Sequence, residues 1–386
     1  MFLDKKWFFL ICCILVQGCS KVDDFMFGKD NTPKPGVLSP LHSKLTLVEN
    51  WSVPLGKPGQ SSTYLKLKPE IKGNIIYVAN ANGVIDAVDK NTGQMVWAKQ
   101  LRHGVVSGPT VADGHVVVGT NNSRVLVLNQ TDGSELLKLK VSAEALSKPV
   151  INHQRLIVKT MDGYLYGFDI KTGQKLWAYE HGTPGLILKA SSSPVIMGKQ
   201  TLVGFSDGKL DAIDLESGRM IWQRSIAYAS GASDVERLVD IDADPIVRGD
   251  TVYIATYQGY IGAVSLSSGE FLWRKPGSVY KNMAIDKETL YVTDSDDVVW
   301  AIDRKNGLIK WKQSTLKARG LTEPVLWGKR LIVGDRTGLV HVLSRKSGAL
   351  ISRIQLSGPI DIAPAVSGSS LYVMTAHAKL TRLSLS

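Results

Sequence analysis

The residues most able to do chemistry fall into three groups, and each chemistry needs a particular spacing. Asp240, Asp242 and Asp244 alternate, Asp294, Asp296 and Asp297 cluster within four residues, and closely spaced carboxylates are the raw material of a calcium loop. A twelve-residue calcium loop needs Gly at its sixth position and Glu at its twelfth. Counted from Asp240, those places hold Pro245 and Thr251. The first run is therefore not expected to hold a metal, and Asp294 to Asp297 read as a polar hairpin turn. The seven histidines, at 42, 103, 115, 153, 181, 341 and 377, never approach a two-ligand spacing, and no G-x-S-x-G turn is present to carry a serine nucleophile. The three cysteines, Cys12, Cys13 and Cys19, all lie at the N-terminus. The expectation is that there is no catalytic, cofactor or metal residue.

Those cysteines have a different chemistry in view. Asp4-Lys5-Lys6 precedes the apolar run 7–16, which is followed by Gln17-Gly18-Cys19. A charged start, a short apolar run and a small residue before the cut describe a secretory signal peptide, and the run is shorter than the roughly 20 residues a membrane-spanning helix needs. Val16-Gln17-Gly18-Cys19 resembles the bacterial lipobox, which implies cleavage after residue 18 and acylation of Cys19. Ser20 in place of Asp implies, by the same resemblance, export to the outer membrane on its periplasmic face. Residues 19–44 mix Pro, Gly and Lys without periodicity and read as a lipidated, flexible tether. The formal charge of +11 falls to about +10 once residues 1–18 are removed. The basic residues are scattered, as at Lys138 and Lys140, with no block of five like charges, so nucleic acid is not expected as a partner.

Whatever positions these residues is a repeat. The segment 87–97, Ala-Val-Asp-Lys-Asn-Thr-Gly-Gln-Met-Val-Trp, returns at 167–177 and 212–222, and further copies end at Trp273 and Trp311. Degenerate copies surround Gly133 and Gly348. Short β-branched runs between Asp-Gly, Asn-Gly and Ser-Gly pairs are antiparallel hairpins, and a period near 40 residues with four strands is a propeller blade. First strands open at Pro69, Pro109, Pro149, Pro194, Pro245, Pro324 and Pro364, with Met283 in the remaining place. The unit from Pro364 lacks a fourth strand, which residues 45–55 supply, because Trp51 stands where the other units carry their Trp. The expectation is an all-β fold: a single eight-bladed β-propeller of four-stranded antiparallel blades over residues 45–386, its ring closed by the N-terminal strand.

Two connections break the regularity. From the Trp of one blade to the opening residue of the next takes 17 residues after Trp177 and 23 after Trp222, against 10 to 13 elsewhere. Outer-to-inner connections leave on one face, so these loops are expected side by side. Long loops on a regular scaffold are commonly functional. The first carries Leu186, Leu188 and Lys189, and the second carries Arg237, Asp240 and Asp242. Apolar anchors beside charged groups describe a protein-binding patch.

The motif A-x-D-x-x-[TS]-G-x-x-x-W resembles that of quinoprotein propellers. Within that group, eight blades, a lipobox and the segment 234–245, DVERLVDIDADP, resemble the BamB family, lipoprotein subunits of the outer-membrane β-barrel assembly machinery. The resemblance implies a non-enzymatic scaffold that binds the periplasmic POTRA domains of BamA and assists folding and insertion of outer-membrane proteins. It implies partner-binding at Leu186, Leu188, Lys189, Arg237, Asp240 and Asp242, with lipid as the second partner through the acyl chains. Direct contact with nascent outer-membrane proteins is left open. The rival is a PQQ-dependent quinoprotein dehydrogenase. Those enzymes resemble one another in a vicinal disulfide over the cofactor, whereas the vicinal Cys12 and Cys13 here lie in the signal peptide, and no long insertions build a substrate cavity. A polysaccharide binder would want an aromatic stripe that the sequence lacks.

Overall fold

The turn that the motif encodes shows how the sequence folds locally. In the computed structural model, Asp89 Oδ1 accepts the amides of Asn91 and Thr92 and the Thr92 hydroxyl, closing the bend that Gly93 completes at φ +77°. Asp169 and Asp214 organise their turns in the same way. The glycine has a second task. The indole of Trp97 lies on Gly133 of the next blade, where an added Cβ would stand 2.7 Å from the ring. Its Nε1 donates to the Gln130 carbonyl at 3.1 Å. Trp51, Trp177, Trp273 and Trp311 repeat the arrangement on Gly93, Gly218, Gly307 and Gly348. The recurrent Trp is thus an inter-blade lock, and the Asp-Gly turn is its socket.

The structure describes residues 33–43, 45–56, 65–152, 154–188 and 191–386. The signal peptide, Cys19 and Lys189 lie outside these. Residues 36–386 form one compact unit. Its described residues build eight four-stranded antiparallel sheets, seven of which pair their strands in sequence order. Blades 1 to 7 span residues 70–100, 105–140, 150–180, 195–225, 246–277, 284–313 and 325–355. Blade 8 takes its inner three strands from 365–385 and its outer strand, Leu47–Pro54, from the N-terminus. That strand pairs with Lys379–Leu385 from Leu47 opposite Leu385 to Pro54 opposite Lys379. Trp51 packs on Tyr372 with ring centroids 6.0 Å apart.

The core is correspondingly divided. Each apolar cluster joins facing sides of neighbouring blades: blade 1 meets blade 2 through Ile85, Trp97, Val116 and Leu128, and blade 3 meets blade 4 through Leu165, Trp177, Val203 and Ile213. Part of the segment expected as a tether lies against this body. Gly36 donates to the Lys317 carbonyl, Arg319 donates to Gly36, and Leu38 packs beside Leu316 and Leu321.

Candidate functional site: two coupled loops on one face

The fourth strand of blade 3 ends at Glu180 and that of blade 4 at Ser225, and the loops that follow reach the next inner strands at Val195 and Ile246. They lie side by side. The Leu188 amide donates to Asp240 Oδ1 at 3.1 Å, which ties the tip of the first loop to the second. The second is tied down by its own backbone, because Ile241 donates to Phe205 and Tyr257 donates to Asp240. Ile226, Leu238, Val239, Ile241 and Ala243 are buried, so each end of this loop is packed into the propeller.

The root of the first loop is held by ions. His181 Nδ1 lies 2.7 Å from Asp211 and its Nε2 lies 3.0 Å from Asp207, while the ring stacks on Phe205 at a centroid distance of 3.8 Å. Burial disfavours the imidazolium, yet the two carboxylates outweigh it and push the His181 pKa up to about 9. Burial likewise opposes ionisation of Asp207, but His181 and Lys209 hold it at about 2.

Beneath both loops is a buried charge cluster at the blade 4–5 junction. Asp240 is 0% and Asp242 1% exposed. Burial raises the Asp240 pKa to about 6, against the hydrogen bond from Leu188. Burial and the charge of Asp240 push Asp242 up, while burial pulls Lys159 down against the attraction of Asp242. Lys159 also donates to the Gly204 carbonyl and lies 5.1 Å from the centre of the Phe205 ring. Lys66, arriving from ahead of blade 1, donates to the Asp242 carbonyl at 2.9 Å and pairs with Asp244. Asn282 Nδ2 completes the shell of Asp244 at 3.0 Å.

The expectation that Asp240 and Asp242 present charge to a partner is therefore corrected. Both are enclosed, and Asp240 holds the loop from below. The surface is made by others. Leu186 is 43% exposed, Leu188 is half-buried, and Arg237 is exposed, with its Nε donating to the Gly231 carbonyl at 3.1 Å. Two residues that the sequence reading passed over complete it: Tyr228, 73% exposed, and Val235, 58% exposed. The turn carrying Val235 is preformed, because Glu236 accepts the Ala232 and Ser233 amides while the Ser233 hydroxyl accepts the Glu236 amide. Lys159 and Lys66 were also passed over. Lys159 had left a signal, since it stands where other blades carry Ala79, Gly119, Gly204 and Ala255 at the end of the second strand. A long cation at a small-residue position marks a special site.

The two other acidic places behave differently from metal loops. Asp294 accepts the Asp296 and Val298 amides within a hairpin turn, and Asp297 accepts Gly320 and Leu321 and pairs with Lys281.

A ring of eight blades with five junctions locked by Trp on Gly, bearing coupled loops on one face, places the chain among quinoprotein-type propellers. BamB from Moraxella catarrhalis superposes with a TM-score of 0.80 at 24% identity, over 88% of this chain and all of that one. A europium-containing methanol dehydrogenase does so at 0.73 and 13% identity, over 88% of this chain and 93% of that one, so enzymes and assembly factors share this fold. Sequence similarity gives the family. The family model described as outer membrane protein assembly factor BamB matches residues 81–313 and 314–386. A relative so named from Legionella pneumophila is 54% identical over 377 residues, 98% of each chain, and one from Burkholderia pseudomallei is 33% identical over 350 residues, 90% of each. The chain belongs to the BamB family of outer membrane protein assembly factors.

Proposed function

We propose that this chain is a non-enzymatic, lipid-anchored scaffold that docks a periplasmic POTRA domain of BamA on its two-loop face. Docking there assists folding and insertion of outer-membrane β-barrels. One observation carries the reading: an apolar, exposed surface on loops that a buried network has already fixed in place. Leu186, Tyr228 and Val235 expose apolar area, and Arg237 stands at its edge. Leu188, bonded to Asp240, fixes the tip of the first loop. Preformed loops lose little conformational entropy on association, and apolar anchors ringed by charge are the common anatomy of a protein interface. Asp240 and Asp242 serve this surface as positioning residues. Lys189 is assigned to it through its place beside Leu188 in the sequence.

The test is co-purification with BamA. Leu186→Ala with Leu188→Ala should lose capture, by about 2 kcal/mol or more if either is a central anchor, with an unchanged melting curve. Lys171→Ala with Lys346→Ala, in turns of the opposite face, should bind normally. Wild-type capture by the loop variant would place docking elsewhere. Anchoring rests on the lipobox. Cys19→Ala should leave the outer-membrane fraction and lose labelling by a palmitate analogue, and labelling that persists would exclude Cys19.

A further inference from the structure

The side wall of the ring holds a second feature, far in sequence from the docking loops. Between the outer strands of blades 1 and 2 is a cleft of about 360 Å3 lined by Lys99, Arg102, His103, Arg124 and Lys138 over the buried side chain of Leu126. Glu135 is the one carboxylate among its lining residues. Strand register intensifies the imbalance. Arg124 pairs across the sheet with Lys140, two like charges directly opposite, an arrangement that costs stability unless an anion relieves it. Among the described residues Arg102, Arg124, Lys138 and Lys140 form no ion pair.

The matching cleft between blades 3 and 4 shows what is missing. Leu101 and His181 occupy equivalent places, each amide bonding the turn glycine of its blade, Gly83 and Gly163. The turn 120–124 corresponds to 205–209, so Asn122 stands for Asp207 and Arg124 for Lys209. Leu126, opposite Lys138, stands for Asp211, opposite Gln223. In blades 3 and 4 the two acids neutralise His181 and Lys209 within the fold. In blades 1 and 2 both acids are gone and Leu101 replaces His181, but the cation at the Lys209 place remains as Arg124, and Arg102 and Lys138 are added beside it.

We infer that the blade 1–2 cleft is a docking site for an acidic polypeptide segment of a partner, whose carboxylates take the places of the two absent acids. Its concave shape favours this occupant over a lipid surface. A bilayer meets cations that project on a plane, whereas these converge over an apolar floor. A strand of alternating acidic and apolar side chains matches rim and floor together, and Arg102 and Arg124 can each take a carboxylate bidentately.

The experiment measures binding of a fluorescein-labelled peptide of alternating glutamate and leucine to the full chain. A peptide with glutamine in place of glutamate is the reference. The acidic peptide should bind at least tenfold more tightly than the reference at low salt, with the difference shrinking as salt rises. Arg124→Ala with Lys138→Ala should remove most of that difference, whereas Lys171→Ala with Lys346→Ala, an equal loss of charge elsewhere, should leave it. Asn122→Asp removes no packing and sets a carboxylate beside Arg124, so it should weaken the peptide severalfold by itself. Unchanged affinity in Asn122→Asp, or equal loss in the distant pair, would overturn the proposal. So would cleft-dependent capture of phosphatidylglycerol vesicles without peptide binding, which would assign the cations to lipid.

Discussion

His181 shows most clearly how one side chain can set the condition of a functional loop. A neutral imidazole has one N–H, so it can donate to Asp207 or Asp211 but not to both; the charged ring donates to both. Its pKa in the folded chain, about 9, exceeds the roughly 6.5 of an unfolded histidine. A raised pKa contributes stability that is fully present below about 6.5 and lost as pH climbs through 9. The depressed pKa of Asp207 acts at the other end, with stability present above about 4 and lost as pH falls through 2. The melting temperature should therefore decline between pH 6.5 and 9 by a few degrees, corresponding to about 2 kcal/mol. His181→Gln should start lower and lack that decline. An identical slope in the variant would mean that the clamp does not titrate in this window.

Among elements, the strand Leu47–Pro54 matters out of proportion to its length. It covers the free edge of Lys379–Leu385 and places Trp51 on Gly93 of blade 1. It thus closes blade 8 and locks it to its neighbour at once. Deleting residues 45–55 should cost several kcal/mol and promote aggregation, because an uncovered edge pairs with other chains and the adjoining blades lose an interface. Calorimetry and light scattering would read this. A deletion that melts like the intact chain would show that the ring does not depend on this closure.

At the scale of the molecule, the question is whether a fold shared with dehydrogenases retains their chemistry. Where the blades converge, a cavity of about 240 Å3 is bordered by internal ion pairs: Lys66 with Asp244, Lys68 with Glu323, and Lys148 with Glu70. These charges are already satisfied by one another. PQQ with calcium should therefore neither raise the melting temperature nor give dye reduction with alcohols. A ligand at 100 times its dissociation constant would add roughly 2.7 kcal/mol, a visible shift, so clear stabilisation would revive an enzymatic reading.

The sequence by itself determined the blade count, the closing strand and the two long loops, because these are one-dimensional signals. A turn needs Asp and Gly at fixed spacing, a Trp recurs at a fixed offset, and an inserted loop shows as a longer interval. It also marked Leu186 and Arg237, since an apolar or charged residue in a loop can be read locally. Tertiary structure alone decided which charges face outward. Asp240 and Asp242 are as polar as Arg237 in sequence, but the path of residues 238–243 between blades 4 and 5 encloses them. Lys66 reaches them from ahead of blade 1 and Lys159 from blade 3, and no local pattern encodes a pairing across 176 residues of chain. The excess of cations in the blade 1–2 cleft is of the same kind. Arg102 and Lys138 are unremarkable apart in the chain, and become a site only because neighbouring blades turn them toward one another.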